Sequence, residues 1–104
     1  MSSSKPRTGL RFGEISIDAS RFELVYKSKR VLLTRTELAV MCALVEAQGR
    51  TIRRAEILDA AWGDQEFEVG ERAVDSVVLR LRRKIGDPGA IVTVRGVGFR
   101  LADT

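Results

Sequence analysis

The stretch RAVDSVVLRLRRK, residues 72–84, constrains the fold most, because it combines five cations with an apolar stripe at helical spacing. On a helical wheel of about 100° per residue, the apolar side chains of residues 71–85 fall on one face. They are Val74, Val77, Val78, Leu81 and Ile85. This pattern predicts an amphipathic helix whose apolar face docks on a hydrophobic core.

The opposite face of the predicted helix is basic, with small and apolar side chains among the cations. It carries Arg72, Asp75, Ser76, Leu79 and Arg83, flanked by Arg80, Arg82 and Lys84. Arginine can bind guanine through two hydrogen bonds, and an apolar tip such as that of Leu79 can pack on a thymine methyl group. The helix therefore suits base contact in a major groove. Taken alone, it is also compatible with a solvated basic face.

The charge balance of the chain favours a polyanionic partner. The 104 residues are enough for one domain, and they include 18 Lys and Arg against 14 Asp and Glu, which gives a net charge of +4. Nucleic acid and anionic membranes both fit this charge and the pI near 9.8. A membrane is the poorer candidate, because the basic helix uses its apolar face for the core.

Enzyme chemistry has little support in the sequence. Histidine, the commonest general base and metal ligand, is absent. There is also no carboxylate pair, no Cys/His couple and no glycine loop of the kind that cradles phosphates. We therefore predict that the chain is not an enzyme and has no catalytic residues, metal site or cofactor.

Short segments with β-branched and aromatic side chains predict a small antiparallel sheet over residues 10–33, with the last hairpin turning at Ser28-Lys29. Residues 1–9 lack periodicity, and we expect a flexible arm or linker remnant there. Residues 103–104 are a short polar tail.

A capping box from Thr34 to Glu37 predicts the start of the first helix, of about residues 35–48, and Gly49 predicts its end. The apolar side chains of this helix occupy more than one stripe, so the helix should be central to the core. They are Leu38, Val40, Met41, Cys42, Leu44 and Val45. Cys42, the single cysteine, is therefore expected to be a buried core thiol.

A second helix is predicted from about Arg54 to Trp62. Cations are disfavoured at the positive N-terminal end of a helix, so the pair Arg53-Arg54 indicates either a bound phosphate or a tolerated solvated pair. Arg54 is thus a candidate contact to the DNA backbone. Residues 64–71 hold four carboxylates and break the helical period, which predicts an exposed loop.

Near the C-terminus, the segments IVTVR and GFRLA predict a hairpin joined through residues 96–98. Two consecutive helices followed by a hairpin that holds Arg95 and Arg100 make a helix-turn-helix with a wing. We therefore predict an α+β fold over residues 10–102. It is a winged helix-turn-helix with an N-terminal antiparallel β-sheet, three helices and a C-terminal β-hairpin wing.

Four motifs support this prediction. They are L-T-x-x-E at the start of the first helix, A-W-G after the second, R-x-V-D-x-x-V-x-R-L-R-R-K-I in the third and T-V-R-G-x-G-F-R in the hairpin. In this order and spacing, residues 10–102 resemble the winged-helix effector domain of OmpR/PhoB-type two-component response regulators. Any one motif alone would be a weak signal, whereas the four together are highly specific.

The resemblance implies that the third helix enters a DNA major groove and that the hairpin tip lies in the adjacent minor groove. Base contact is then expected from Arg80, with Asp75 and Ser76 lining the same surface. DNA backbone contacts are expected from Arg72, Arg82, Arg83, Trp62 and Thr93, and a contact near the minor groove from Arg95.

Three of these residues have structural alternatives. Trp62 can be a core residue at a helix end, and Arg95 can stabilise the hairpin by pairing with an acidic group. Asp75 can be an intrahelical partner of Arg72 or Arg82.

Four positions depart from the family pattern. Ala73 replaces a frequent phosphate-binding Thr, and Arg53 replaces a frequent Ser cap of the second helix. Leu79 stands where some relatives have a polar or basic side chain, so the base preference of a relative cannot be transferred to this chain. Phe99 replaces a frequent Tyr and lacks its hydroxyl.

The resemblance also implies a function and partners. We expect sequence-specific binding of double-stranded DNA that controls transcription in the cytoplasm of a bacterium, at the nucleoid when DNA is bound. Two copies should lie head to tail on direct-repeat half-sites about one helical turn apart. The alternative is a winged-helix protein-interaction module without DNA binding.

Further partners follow from the same resemblance. The acidic loop, with Asp64, Glu66 and Glu68, corresponds to a segment that relatives use to contact RNA polymerase, although a solvated connector is an alternative. A full response regulator also contains a receiver domain, for which this chain is too short. We therefore expect a C-terminal fragment of a longer protein, with a stand-alone regulator as the alternative.

Overall fold

The computed structural model describes residues 10–63 and 70–102, and in these residues it contains three α-helices and two antiparallel sheets. The elements in chain order are β1 (Leu10–Phe12), β2 (Ile15–Asp18), β3 (Glu23–Tyr26), β4 (Lys29–Leu32), α1 (Arg35–Glu46), β5 (Ile52–Arg53), α2 (Arg54–Trp62), α3 (Arg72–Ile85), β6 (Ile91–Val94) and β7 (Gly98–Leu101). The predicted α+β winged helix-turn-helix is confirmed. The predictions made for residues 1–9, 64–69 and 103–104 fall outside the described residues.

The N-terminal sheet has the strand order β1-β2-β3-β4, and each strand pairs with the next in sequence. Its inner face contributes Ile15, Ile17 and Leu24 to the core. The last hairpin turns at Lys27 and Ser28, one residue earlier than predicted, so that Tyr26 pairs with Lys29. Both turn residues have positive φ, 47° and 73°, which suits a two-residue hairpin loop because its twist then matches that of the strands.

Helix α1 begins as predicted, with both halves of the capping box formed. The Glu37 N–H donates to Thr34 Oγ1 at 3.2 Å, and the Thr34 N–H donates to Glu37 Oε1 at 2.9 Å. The helix ends at Glu46, two residues before the predicted end, because Gln48 and Gly49 both adopt positive φ. Left-handed residues cannot continue a right-handed helix.

Cys42 differs from its prediction in degree. It is half-buried and packs against the edge of the core on α1. The fully buried apolar positions of that helix are Val40, Met41, Leu44 and Val45. Burial still disfavours the thiolate and raises the pKa of the Cys42 thiol.

The C-terminal sheet has the order β5-β7-β6, and its short strand β5 was not predicted. Ile52 pairs with Phe99, and Arg53 pairs with Gly98. Gly98 therefore lies in a strand and not in the hairpin loop, and a Cβ at this position would run into the Ile52 carbonyl group. Both Gly96 and Gly98 were predicted in the loop, but of the two only Gly96 lies there, with a φ of +74°.

Helix α3 confirms the apolar stripe. Val74, Val77, Val78, Leu81 and Ile85 are all at most 2% exposed. The helix begins one residue later than predicted, since Glu71 is its N-cap, and it ends at Ile85 because the following Gly86 has a φ of +81°. With one face of α3 committed to the core, the opposite face must point outward. In the described residues, no helix combines the length and apolarity that crossing a membrane requires.

Candidate nucleic-acid interface

The outward face of α3 brings together most of the residues predicted for DNA contact. Arg72, Asp75, Ser76, Leu79, Arg80 and Arg83 are all exposed. Leu79 is 49% exposed among these polar neighbours, so an aliphatic side chain lies in the middle of this face. The face thus presents cations, a hydroxyl and an aliphatic tip on one surface.

A buried carboxylate lies under this face. Glu37 is 1% exposed, and its Oε1 accepts a hydrogen bond from Lys84 Nζ at 2.6 Å. Its Oε2 accepts one from Arg80 Nε at 3.4 Å. Burial opposes ionisation, but the hydrogen bonds from Lys84, the Thr34 N–H and Arg80 outweigh it and hold the pKa of Glu37 below its ordinary value. Glu37 is therefore charged at neutral pH.

Asp75 is held by α2. Its carboxylate accepts a hydrogen bond from Arg54 Nε at 2.8 Å, so its partner is neither Arg72 nor Arg82. The intrahelical alternative for Asp75 is therefore wrong. The Arg54 guanidinium also lies 4.9 Å from the centre of the Phe99 ring, within the range of a cation–π interaction.

Arg82 joins α3 to the hairpin. Its Nη2 donates to the Ile91 carbonyl at 2.6 Å and to Thr93 Oγ1 at 2.9 Å, and its Nε reaches the same carbonyl at 3.1 Å. Its guanidinium lies 5.9 Å from the Phe99 ring centre. Two residues predicted as DNA backbone contacts, Arg82 and Thr93, are thus bonded to each other.

The hairpin loop is anchored to the start of α2. The Arg54 N–H donates to the Val97 carbonyl at 3.4 Å, next to the pairing between β5 and β7. Arg95 is exposed in this loop, and no carboxylate of residues 10–63 or 70–102 lies within ion-pair distance of it. The described residues therefore give no support to an ion pair as the role of Arg95.

The N-terminus of α2 lacks a complete cap, and its last residue is partly exposed. Arg53 is the N-cap, and its N–H donates to Glu56 Oε1 at 3.0 Å. Its side chain has no acceptor for a helix N–H, so only one half of a capping box forms. At the other end, Trp62 is half-buried and packs on the core, which leaves part of the indole accessible.

The sequence had not indicated Glu37 as an anchor of α3. As the third residue of α1, Glu37 completes the capping box, and this role alone was sufficient to account for a glutamate there. The one available signal was the i, i+4 spacing of Arg80 and Lys84, which places two cations on the same side of α3.

A helix-turn-helix whose second helix turns a cationic face outward, beside a β-hairpin, defines a winged-helix DNA-binding domain. The sequence profile of the family "Transcriptional regulatory protein, C terminal" matches residues 28–101. The chain belongs to this family. Membership confirms that it is a transcription-regulating DNA-binding domain and not an enzyme.

Similar proteins agree with this assignment. The chain is 37% identical over 98 residues to the response regulator MprA of Mycobacterium ulcerans, covering 91% of this chain and 42% of that protein. MprA of Mycobacterium tuberculosis shows the same identity and coverage. The chain thus spans 42% of the length of these curated relatives.

Solved structures show the same fold. The DNA-binding domain of the response regulator AdeR, in complex with an intercistronic region, matches with a TM-score of 0.77 and 28% identity, covering 92% of this chain and 100% of that one. DrrB, a Thermotoga maritima OmpR/PhoB homologue, matches with a TM-score of 0.73 and 34% identity, covering 88% of this chain and 43% of that one. The resemblance to OmpR/PhoB-type effector domains is confirmed.

Proposed function

We propose that this domain binds double-stranded DNA in a sequence-specific manner, with α3 in the major groove and the β6–β7 wing near the minor groove. The observation that carries the proposal is the division of α3 into one face that is buried in the core and one that exposes Arg80 and Leu79 among further cations. The complex of the similar AdeR domain with an intercistronic region supports it.

Base contacts are assigned to the centre of the exposed face of α3. Arg80 reaches guanine through its terminal Nη groups, since its Nε is bonded to Glu37. Leu79 packs on a thymine methyl group, and Ser76 offers a hydroxyl beside it. Asp75 lines the same surface, but its carboxylate is shared with Arg54.

Phosphate contacts are assigned around this centre. Arg72 and Arg83 are exposed on α3 and serve as point charges along the backbone. Further backbone contacts come from residues that also make internal contacts, through the atoms that stay accessible: Arg54, Arg82, Thr93 and Trp62. Arg95 extends from the wing towards the minor groove.

Assembly and partners complete the proposal. Two copies bind head to tail on direct-repeat half-sites about one helical turn apart, because a single domain makes few base contacts. In the longer protein a receiver domain precedes this one, and the acidic residues Asp64, Glu66 and Glu68 contact RNA polymerase. The regulator acts in the cytoplasm, at the nucleoid.

The first experiment is selection of the purified domain against a random duplex library at about 0.15 M salt, where counterion release contributes less to affinity. We expect enrichment of two similar half-sites spaced by about one turn. If no motif is enriched and binding disappears as salt is added, α3 is a non-specific electrostatic surface, and a protein partner becomes the better assignment.

A further inference from the structure

We propose that Glu37 is a positioning residue for base recognition. Through its bond to Nε, it holds the Arg80 guanidinium so that the Nη edge faces the DNA. This inference rests on the proposed DNA-binding function and adds to it a residue that lies inside the domain and touches no base.

The hydrogen bonds of Glu37 fix its carboxylate in two directions. Oε1 accepts from Lys84 Nζ and from the Thr34 N–H, while Oε2 is directed at Arg80. Because the Thr34 N–H belongs to the backbone of the capped N-terminus of α1, the carboxylate is attached to a rigid element and cannot rotate freely. Among the described residues, Glu37 is also the only charged side chain that is buried.

Arg80 is positioned through one atom and accessible through the others. Its side chain is 52% exposed, and within the described residues it donates a hydrogen bond through Nε alone. An arginine fixed at Nε keeps two parallel Nη donors for guanine O6 and N7. Positioning before binding reduces the rotamer entropy that a long side chain loses on contact with a base.

A purely structural role for Glu37, as a tie between α1 and α3, makes a different prediction. Loss of such a tie weakens the fold and lowers affinity for all duplexes alike. Loss of positioning lowers discrimination at one base pair, while removal of a negative charge beside the DNA maintains or raises affinity for random DNA. The ratio of specific to random binding therefore separates the two roles.

The test uses Glu37→Gln, which retains the acceptor for Lys84 and Thr34 and directs an amide NH2 at Arg80 Nε. Binding is measured by fluorescence anisotropy on the selected duplex and on variants of the guanine at which Arg80→Ala relaxes specificity. We expect Glu37→Gln to lose about tenfold in discrimination at that guanine and little at other positions, a change in line with the worth of one bidentate contact. In the Arg80→Ala background, Glu37→Gln should cause no further loss.

Two further variants keep the test decisive. Lys84→Gln breaks the shorter bond to the same carboxylate but leaves Arg80 in place, so discrimination should survive even if thermal stability falls. If Glu37→Gln does not fold, Glu37→Asp retains the charge, shortens its reach and should show the same loss at the same guanine.

Three results are distinguishable. Selective loss of discrimination at the Arg80 position supports positioning. Unchanged discrimination in folded Glu37→Gln or Glu37→Asp, with only a lower melting temperature, overturns it and leaves Glu37 as a structural tie. If the unmodified domain discriminates at no base pair, the proposed function itself has failed.

Discussion

The cations of α3 look alike in the sequence, but the structure gives each a different environment. Arg82 is bonded to the wing, and Arg80 is bonded to Glu37. Arg72 and Arg83 form no ion pair with a carboxylate of residues 10–63 or 70–102. Their substitutions should therefore have different effects on DNA binding.

Arg72→Ala should weaken binding to all duplexes alike and reduce the slope of log K against log salt by about one, since one phosphate contact is lost.

Arg80→Ala should instead cost about 1 to 3 kcal/mol on the selected duplex and relax one base position. Arg21→Ala is a control with the same change in charge, because Arg21 lies in the N-terminal sheet region and pairs with Asp18. Equal losses on specific and random DNA for Arg80→Ala would refute its role.

Leu79 can be tested by removing a single methyl group from the DNA. Replacing each thymine of the half-site by uracil in turn should weaken the unmodified domain a few-fold at one position, since about 0.8 kcal/mol is associated with one buried methylene-sized group. Leu79→Ala should not respond at that position. If every uracil duplex binds as well as its parent, Leu79 does not contact a thymine methyl group.

Among the elements, the wing depends on α2 and α3 for its orientation. Arg82 bonds to β6, the Arg54 N–H bonds to Val97, and both guanidinium groups lie near Phe99. The two guanidinium contacts to Phe99 involve only its aromatic ring, so they do not require the hydroxyl that a tyrosine would add. The wing is therefore positioned by side chains that were predicted to contact DNA.

A double-mutant cycle tests this coupling. Arg95→Ala should weaken DNA binding in the unmodified domain, but less so in the Arg82→Ala background, because the wing then lacks its bonds to α3. We expect a coupling of about 1 kcal/mol by calorimetry of DNA binding. Additive losses would show that Arg82 and Arg95 act independently, each as a contact of its own.

The strand β5 depends on the small size of Gly98. Gly98→Ala should destabilise the fold by about 1 to 3 kcal/mol, because its Cβ overlaps the Ile52 carbonyl group and the strands must separate. Gly70→Ala is a suitable control, since a Cβ there meets no atom of the described residues within 4 Å. Urea unfolding of both variants measures the effect, and equal midpoints would contradict the close approach of β5 and β7.

At the scale of the whole molecule, long-range bonds join the parts of the chain. Glu37 connects α1 to α3, Lys84 also donates to the Leu32 carbonyl of β4 at 3.0 Å, and Tyr26 donates to Asp87 at 2.5 Å. These contacts connect the N-terminal sheet to the helices and to the segment after α3. The position of α3 is therefore set by contacts with several parts of the fold.

Stability should depend on pH through Glu37. Its pKa lies below the ordinary 4.5, so its ionised form contributes stability above that pH and loses it as the pH falls through the lower folded value. The stability difference between the unmodified domain and Glu37→Gln should thus shrink as the pH falls below 4.5 and through the lower folded pKa. Urea midpoints at several pH values measure it, and parallel curves for the two proteins would show that Glu37 makes no such contribution.

Local patterns account for the parts of the fold that were predicted correctly. The capping box at Thr34 and the apolar stripe of α3 act within one or two helical turns, so neighbouring residues suffice to reveal them. Strand β5 was missed because its two residues have no local signal and pair only when β7 lies beside them. The turn lies at Lys27 and Ser28, one residue before the predicted position, because the pairing of β4 with β3 sets the register.

The sequence by itself determined the class of fold and the cationic face of α3, since both follow from local spacing and composition. The set of residues expected near DNA came from the resemblance to the family and stays a prediction. Only the tertiary structure decided which of those residues bond to one another. Arg54 and Asp75 are 21 residues apart, and Glu37 is 43 residues from Arg80 and 47 from Lys84. Such partners meet because the core orients the helices, and helical periodicity carries no information over those distances.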